Sequence, residues 1–124
     1  IRISSYRNNK YLRFDLKNNQ VYNSLRLNRY GIGNILFSNI VRNLLQPIDK
    51  NLYSINLFNG YDISILSYSK SFASEDSYTA STEYRYIMPK EIVKKYKNQI
   101  ISGQRLLDNS IILIDNDRVE LELN

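Results

Sequence analysis

Aromatic and cationic side chains alternate near the start of the sequence in a pattern that could hold a polyanion. Tyr11 and Arg13 fall on the polar side of one alternating segment, and Tyr22 and Arg26 fall on the polar side of the next. A sheet with this arrangement presents rings that stack on nucleic-acid bases beside cations that hold phosphates. The predicted polyanion-binding residues are Arg7, Tyr11, Arg13, Lys17, Tyr22, Arg26, Lys90, Lys94 and Lys97.

Lysines also recur at helical spacing in the segment 83–105, where six Lys or Arg accompany two acidic residues. Lys90, Lys94 and Lys97 are three or four residues apart, so they line one side of a predicted helix. Such a row is either a binding site for an anion or the solvated face of the helix. The acidic residues after position 105 offer these lysines an internal partner, and both interpretations stay open.

Several chemistries are excluded by residue types that the sequence lacks. It contains no Cys and no His, which excludes disulfides, thiolate ligands, ordinary zinc sites and a Ser-His-Asp triad. Asp115 and Asp117 belong to a polar turn, where Asp is expected for backbone reasons. Gly31 and Gly33 lack the third glycine and the preceding buried strand of a dinucleotide fingerprint. We therefore predict no metal site and no cofactor.

Metal-free RNA cleavage is the catalytic hypothesis that these exclusions leave open. Tyr, Arg and Lys can perform it when a neighbouring cation lowers the pKa of one of these side chains or stabilises the charge of the transition state. Side chains of the required kind are Arg7, Arg13, Arg26, Lys94 and Tyr96. Their spacing does not select them over the other basic residues, so the sequence favours a binding protein over an enzyme.

Charge is distributed unevenly along the chain of 124 residues. Residues 1–50 carry a net charge of +7 and residues 83–105 carry +4, whereas 51–82 carry −2 and 106–124 carry −4. The total of +5 is moderate, and a moderate charge also serves solubility. Net charge alone therefore does not separate a partner that is a polyanion from one that is a protein.

The first half of the sequence predicts strands followed by a helix. Residues 1–6 are expected to form a short strand, and alternating residues in 11–16 and 21–27 predict a hairpin around the polar turn 17–20. Apolar residues at three- and four-residue spacing then predict a helix over about 34–45, which Gly31 and Gly33 precede and which Pro47 ends.

The second half predicts more strands and a second helix. Asn59 and Gly60 favour a hairpin turn, and the Ser- and Thr-rich segment 67–82 is interpreted as a loop between strands. A helix is predicted over about 89–101, with Pro89 in its first turn and Gly103 as its cap. The strands of this half are predicted over 52–58, 61–68, 78–87, 110–114 and 119–123.

These elements predict one α+β domain over residues 1–124, with mainly antiparallel hairpins and two helices. Our functional prediction is a small non-catalytic protein that binds nucleic acid or another polyanion through the first hairpin. The alternative is an interaction subunit of a larger viral, secreted or organellar assembly, with its Tyr- and Arg-rich faces buried against protein or a second copy. No segment is apolar enough to span a membrane, the composition suggests an AT-rich genome, and the first residue, Ile1, suggests a processed or excised chain.

Overall fold

A sheet forms the centre of the fold in the computed structural model, which describes residues 1–73 and 78–123. Its strands are β1 (Arg2–Tyr6), β2 (Asn9–Asn23), β3 (Gly60–Lys70), β4 (Ala80–Pro89), β5 (Ile111–Ile114) and β6 (Asp117–Val119). They lie side by side in the order of the sequence. Strands β2 and β3 are parallel, and every other neighbouring pair is antiparallel.

The helices pack against one face of this sheet. They are α1 (Arg29–Leu36), α2 (Arg42–Leu52), α3 (Lys90–Lys97) and α4 (Gly103–Asp108), and a π-helical segment, Phe37–Val41, joins α1 to α2 without a break. The α1–α2 unit carries the chain from β2 back to the start of β3, which is the crossover that two parallel strands require. The predicted α+β class is therefore confirmed, with a mixed sheet.

The core lies between the helices and the sheet. Leu36 and Phe37 from the long helix, and Ile63 and Tyr86 from the central strands, are completely buried there. None of the helices in the two described ranges has the length and apolar character that crossing a membrane requires.

The predicted hairpin over 11–27 is wrong, because β2 is one long strand. Residues 18–20 form a bulge instead of a turn: Lys17 lies beside Leu66, and Val21 lies beside Tyr68. Strand β3 runs along both halves of β2, so residues 18–20 interrupt the pairing without ending the strand. The actual hairpin joins β1 to β2 through a two-residue turn in which Arg7 and Asn8 both have positive φ.

The first helix is longer at both ends than predicted. It starts after Asn28, whose side-chain Oδ1 accepts a hydrogen bond of 2.8 Å from the backbone N–H of Gly31. It continues past Pro47 to the end of α2, although a proline removes one backbone donor. Leu45 and Ile48 lie on either side of Pro47 and are buried against the core, so tertiary packing outweighs the local penalty.

The predicted hairpin around Asn59 and Gly60 is also wrong. Residues 53–59 form no strand, and β3 pairs with β2 and β4 instead. Gly60 does not have a positive φ. Its role is to permit close packing, because a Cβ atom at this position would collide with the backbone carbonyl of Met88 on β4.

The predicted helix over 89–101 forms only as α3, which ends at Lys97, and α4 lies beyond the predicted range. Gln99, with φ of 63°, ends α3 and turns the chain, which leaves Ile100 69% exposed instead of in the apolar stripe. Gly103 does not cap α3 but begins α4, and the Oγ atom of Ser102 accepts the capping hydrogen bond from Arg105 N–H at 3.1 Å.

The remaining strands largely agree with the sequence. A short strand at the start, the strand before Pro89 and the final hairpin all form, and the final turn places Asp115 and Asn116 at positive φ. Strand β6 ends at Val119, earlier than predicted. The predicted loop 67–82 is shorter, because β3 extends to Lys70 and β4 begins at Ala80; residues 74–77 lie outside the described residues.

Candidate polyanion-binding surface

The sheet face opposite the helices carries two of the predicted cations, Arg13 and Lys17, together with charged residues that were not predicted. Strand residues alternate between the two faces, so this open face holds Arg13 and Lys17 on β2, Asp62 and Ser64 on β3, and Arg85 on β4. A small apolar cluster of Tyr11, Ile87 and Leu113 lies among them. The open face is therefore where a polyanion site has to be sought.

Arg13 lies on the open face, but its guanidinium is held by protein acceptors. Nε donates to Asp15 Oδ1 at 2.9 Å, and Nη2 lies 3.3 Å from both Ser64 Oγ and Glu83 Oε2. Only 12% of the Arg13 side chain is exposed. Because two carboxylates neutralise this cation, it contributes little attraction for a phosphate.

Asp62 and Arg85 form a second ion pair on the same face. Asp62 is fully buried, Arg85 Nη2 donates to its Oδ2 at 2.6 Å, and Ser4 Oγ donates to the same oxygen at 2.9 Å. The hydrogen bond to Asp62 raises the pKa of Arg85. The sequence prediction missed this pair, although an aspartate inside the apolar run 61–66 indicates a buried carboxylate that needs a partner.

Tyr11 and Tyr22 lie on opposite faces of the sheet, because both belong to the single strand β2. Tyr11 is 5% exposed in the open-face cluster, and burial raises its pKa. Tyr22 is 6% exposed in the core under the helices, where its hydroxyl accepts a hydrogen bond from Asn18 Nδ2 at 3.0 Å. Neither ring presents a face to solvent, so neither can stack on a base.

On α3, Lys90 is engaged by the protein itself, whereas Lys94 is exposed and its ammonium contacts a ring. Lys90 is 8% exposed, its ammonium donates to the backbone carbonyls of Tyr53 and Ile55, and it lies 4.1 Å from the centre of the Phe58 ring. Burial lowers the pKa of Lys90. Lys94 lies 4.0 Å from the centre of the Tyr53 ring.

Lys97 completes the row, and its partner differs from the one the sequence suggested. Its Nζ lies 3.8 Å from Oδ2 of Asp49, a carboxylate that is buried in α2. The acidic residues after position 105 were the expected partners. The long helix supplies the partner instead because it continues past Pro47 and brings Asp49 against α3.

Two cations at the carboxyl end of β3 have no carboxylate partner among the described residues; Lys17 is exposed and Lys70 is half-buried. Lys17 Nζ lies 5.6 Å from the centre of the Tyr68 ring, and Lys70 Nζ lies 5.6 Å from the centre of the Phe72 ring. We call Lys17, Tyr68, Lys70 and Phe72 the lysine–aromatic patch. Neither ammonium lies within ion-pair distance of a carboxylate in the part of the chain that the structure describes. Phe72 is 54% exposed.

Backbone contacts hold the patch together. Asn23, at the end of β2, lies beside Lys70, and its Oδ1 accepts a hydrogen bond from Phe72 N–H at 3.5 Å. The carbonyl of Asn23 accepts from Arg26 N–H at 3.0 Å, so the exposed Arg26 is adjacent to the patch. Of this group only Lys17 and Arg26 were predicted. The period of two through Leu66, Tyr68, Lys70 and Phe72 was the signal that could have found the rest.

The structure does not bring the other candidates to this end of the sheet. Arg7 lies in the β1–β2 turn, 5.5 Å from the centre of the Tyr6 ring, and roughly 30 Å along β2 from Lys17. The five groups named for metal-free cleavage are likewise dispersed. Arg7 is in that turn, Arg13 is on the open face, Arg26 precedes α1, and Lys94 and Tyr96 are on α3.

The chemistry of the patch is that of binding by charge and stacking. Among the described residues, no group of three acidic side chains could hold a metal ion. Two ammonium groups and two aromatic rings can hold phosphates and stack on bases. No family model, curated protein or solved structure matches this chain at a significant level.

Proposed function

We propose that this chain is a small non-catalytic module that binds a polyanion, single-stranded nucleic acid in particular, through the lysine–aromatic patch. The observation that supports the proposal is the pairing of the exposed Lys17 and the half-buried Lys70 with two aromatic rings at one end of the open face. Cations beside rings can contact phosphate and base of the same nucleotide strand.

The contrast with the rest of the open face supports this location. Arg13 and Arg85 are neutralised by carboxylates, so their charges are already compensated. Lys17 and Lys70 instead lie over rings, which orient the ammonium groups without cancelling their charge. The exposed Arg26 adds a third cation next to Lys70 and Phe72.

The test is fluorescence anisotropy with a short labelled oligouridylate and its DNA counterpart. We expect binding at about 50 mM NaCl that weakens steeply by about 300 mM, because bound counterions are released from the phosphates. The variant Lys17→Glu/Lys70→Glu reverses two charges of the patch and should abolish binding. Lys95→Glu, a change on the exposed side of α3, is the control and should keep most of it. Equal binding by the double variant and the parent would contradict the proposal.

An interaction subunit is the second candidate, and the outer edge of β1 favours it. Strand β1 pairs with β2 on one side only among the described residues, and Ile1 and Ile3 are 86% and 48% exposed. An open edge with apolar side chains can add a strand from another chain. Light scattering after size-exclusion chromatography distinguishes the two candidates. A salt-resistant oligomer without any effect of added RNA would favour the subunit.

A further inference from the structure

A cleft on the helix side of the molecule lies between α2 and the connection from α3 to α4. Its volume is about 580 Å³, which falls within the usual range for sites that hold a small molecule. The residues that matter for its chemistry are Arg42, Leu45, Tyr96, Lys97, Ile100 and Ile101. It shares no residue with the lysine–aromatic patch, which lies at the end of the sheet.

Local structure explains why the cleft is open. Arg42 and Leu45 are one helical turn apart on α2, so both face the end of α3. Gln99, with its positive φ, turns the chain away from the helix axis of α3. Ile100 and Ile101 therefore stand at the wall of the cleft, and Ile100 is 69% exposed although it is apolar.

Arg42 contacts a ring and a glycine and has no charged partner among the described residues. Its guanidinium carbon lies 5.6 Å from the centre of the Phe37 ring. On another side it fits against Gly103, where a Cβ atom would lie only 3.0 Å from Nη2. Within 1–73 and 78–123 the guanidinium has no ion pair. The exposed guanidinium therefore lies beside the Phe37 ring and Gly103, and its donors are available to a ligand.

Lys97 supplies a second positive charge to the cleft. Its Nζ lies 3.8 Å from Asp49 Oδ2, beyond hydrogen-bond distance. That carboxylate oxygen is buried and accepts no hydrogen bond from any described residue, so the contact with Lys97 is electrostatic and incomplete. No acidic residue within 1–73 or 78–123 lines the cleft. The site thus combines the guanidinium of Arg42, the ammonium of Lys97 that Asp49 partly compensates, and an apolar wall.

We propose that the cleft binds a small amphipathic anion, with a carboxylate or phosphate head joined to an apolar body. The fork of Arg42 can donate to two oxygens of such a head, and the ammonium of Lys97 adds a third donor. The apolar body then lies against Leu45, Ile100 and Ile101 and removes the exposed surface of Ile100 from water. This inference does not depend on the proposed binding of a polyanion.

The first experiment titrates the protein with naphthoate and with phenyl phosphate, observed in amide proton–nitrogen NMR spectra. We expect saturable changes at the amides of residues 99–102 and at Arg42. Naphthamide, which has the same ring without the charge, should bind at least about tenfold more weakly. Equal affinity for naphthamide, or changes confined to other surfaces, would overturn the proposal.

Variants test the role of Arg42 directly. Arg42→Gln keeps much of the stem and should weaken naphthoate binding about tenfold or more. Gly103→Ala leaves every charge in place but pushes the guanidinium away, so it should weaken binding by a smaller factor. Arg105→Gln removes an exposed cation from α4 outside the cleft and is the control. If Arg42→Gln binds naphthoate as well as the parent while its spectrum keeps the native pattern, the assigned site is wrong.

Discussion

The guanidinium of Arg85 and the carboxylate of Asp62 form a two-point ion pair on the open face of the sheet. Nη2 lies 2.6 Å from Oδ2, and Nε lies 3.3 Å from Oδ1. Asp62 is completely buried by its neighbours, although none of the described helices packs on this face. The paired side chains therefore shield this face of the sheet from solvent. Removing one partner leaves the other as a buried, uncompensated charge.

Arg85→Met should lower the free energy of unfolding by about 3 kcal/mol, because an uncompensated carboxylate remains in a buried position. Urea denaturation measures the change. Adding Asp62→Asn removes the unpaired charge and should recover a large part of the loss. A decrease of less than about 1 kcal/mol in the single variant would mean that solvent reaches Asp62.

The salt dependence of RNA binding should report the lysine–aromatic patch quantitatively. Each phosphate contact to a single strand contributes about 0.7 to the slope of log K against log salt. Lys17→Gln and Lys70→Gln should each reduce the slope by about that amount, whereas Lys95→Gln should leave it unchanged. The measurement is anisotropy over a series of salt concentrations. Unchanged slopes in the first two variants would contradict a site at the patch.

Stability should decrease at alkaline pH because buried tyrosines resist ionisation. Burial raises the pKa of Tyr84 from 10.0 to about 12 and also raises the pKa of Tyr61 and Tyr86. The folded state holds these protons more tightly, so the stabilisation is complete below pH 10 and decreases as pH rises toward 12. The lowered pKa of Lys90 acts in the opposite direction.

Each of these tyrosines can contribute up to about 1.4 kcal/mol per pH unit to the loss. Urea midpoints between about pH 9 and pH 11, together with tyrosinate absorbance, measure it. Tyr84→Phe removes one ionisable group and should flatten the curve. A midpoint that does not change with pH in this range would show that the hydroxyls are accessible to water.

Gly60→Ala should be strongly destabilising, by about 3 kcal/mol or more, because the new methyl group meets the backbone carbonyl of Met88. Backbone in the middle of a sheet cannot move away cheaply. Gly31→Ala is the comparison, since its nearest contact is a flexible leucine side chain at 3.3 Å and Ala favours a helix. Thermal denaturation should show a large decrease for the first variant and little change or a small increase for the second.

Local patterns predicted the α+β class and several strands, and failed where a distant part of the chain decided the outcome. The residues 18–20 have turn composition, but the parallel neighbour β3 keeps them within one strand as a bulge. Pro47 has the local signature of a helix end, but Leu45 and Ile48 bury on either side of it. The local sequence shows neither the strand that pairs beside residues 18–20 nor the core against which Leu45 and Ile48 pack.

The candidate site was predicted only in part, for a related reason. Alternation correctly indicates that Arg13 faces away from the helices, but it does not show that Asp15 and Glu83 surround it. Glu83 is far away in the sequence and reaches Arg13 only through the pairing of three strands. Lys17 and Arg26 remain exposed because no carboxylate of the described residues pairs with them.

The parallel pairing of β2 with β3 also has a consequence for how the chain folds. The hairpins β1–β2 and β3–β4 are local and can form early, on a microsecond timescale. When the two hairpins pair with each other, Tyr11 lies beside Gly60. This contact closes a loop that contains the whole helical crossover between β2 and β3. We expect the closing of this seam to carry the largest loss of chain entropy and therefore to limit the folding rate. Until it closes, each half exposes a strand edge that a second chain can occupy.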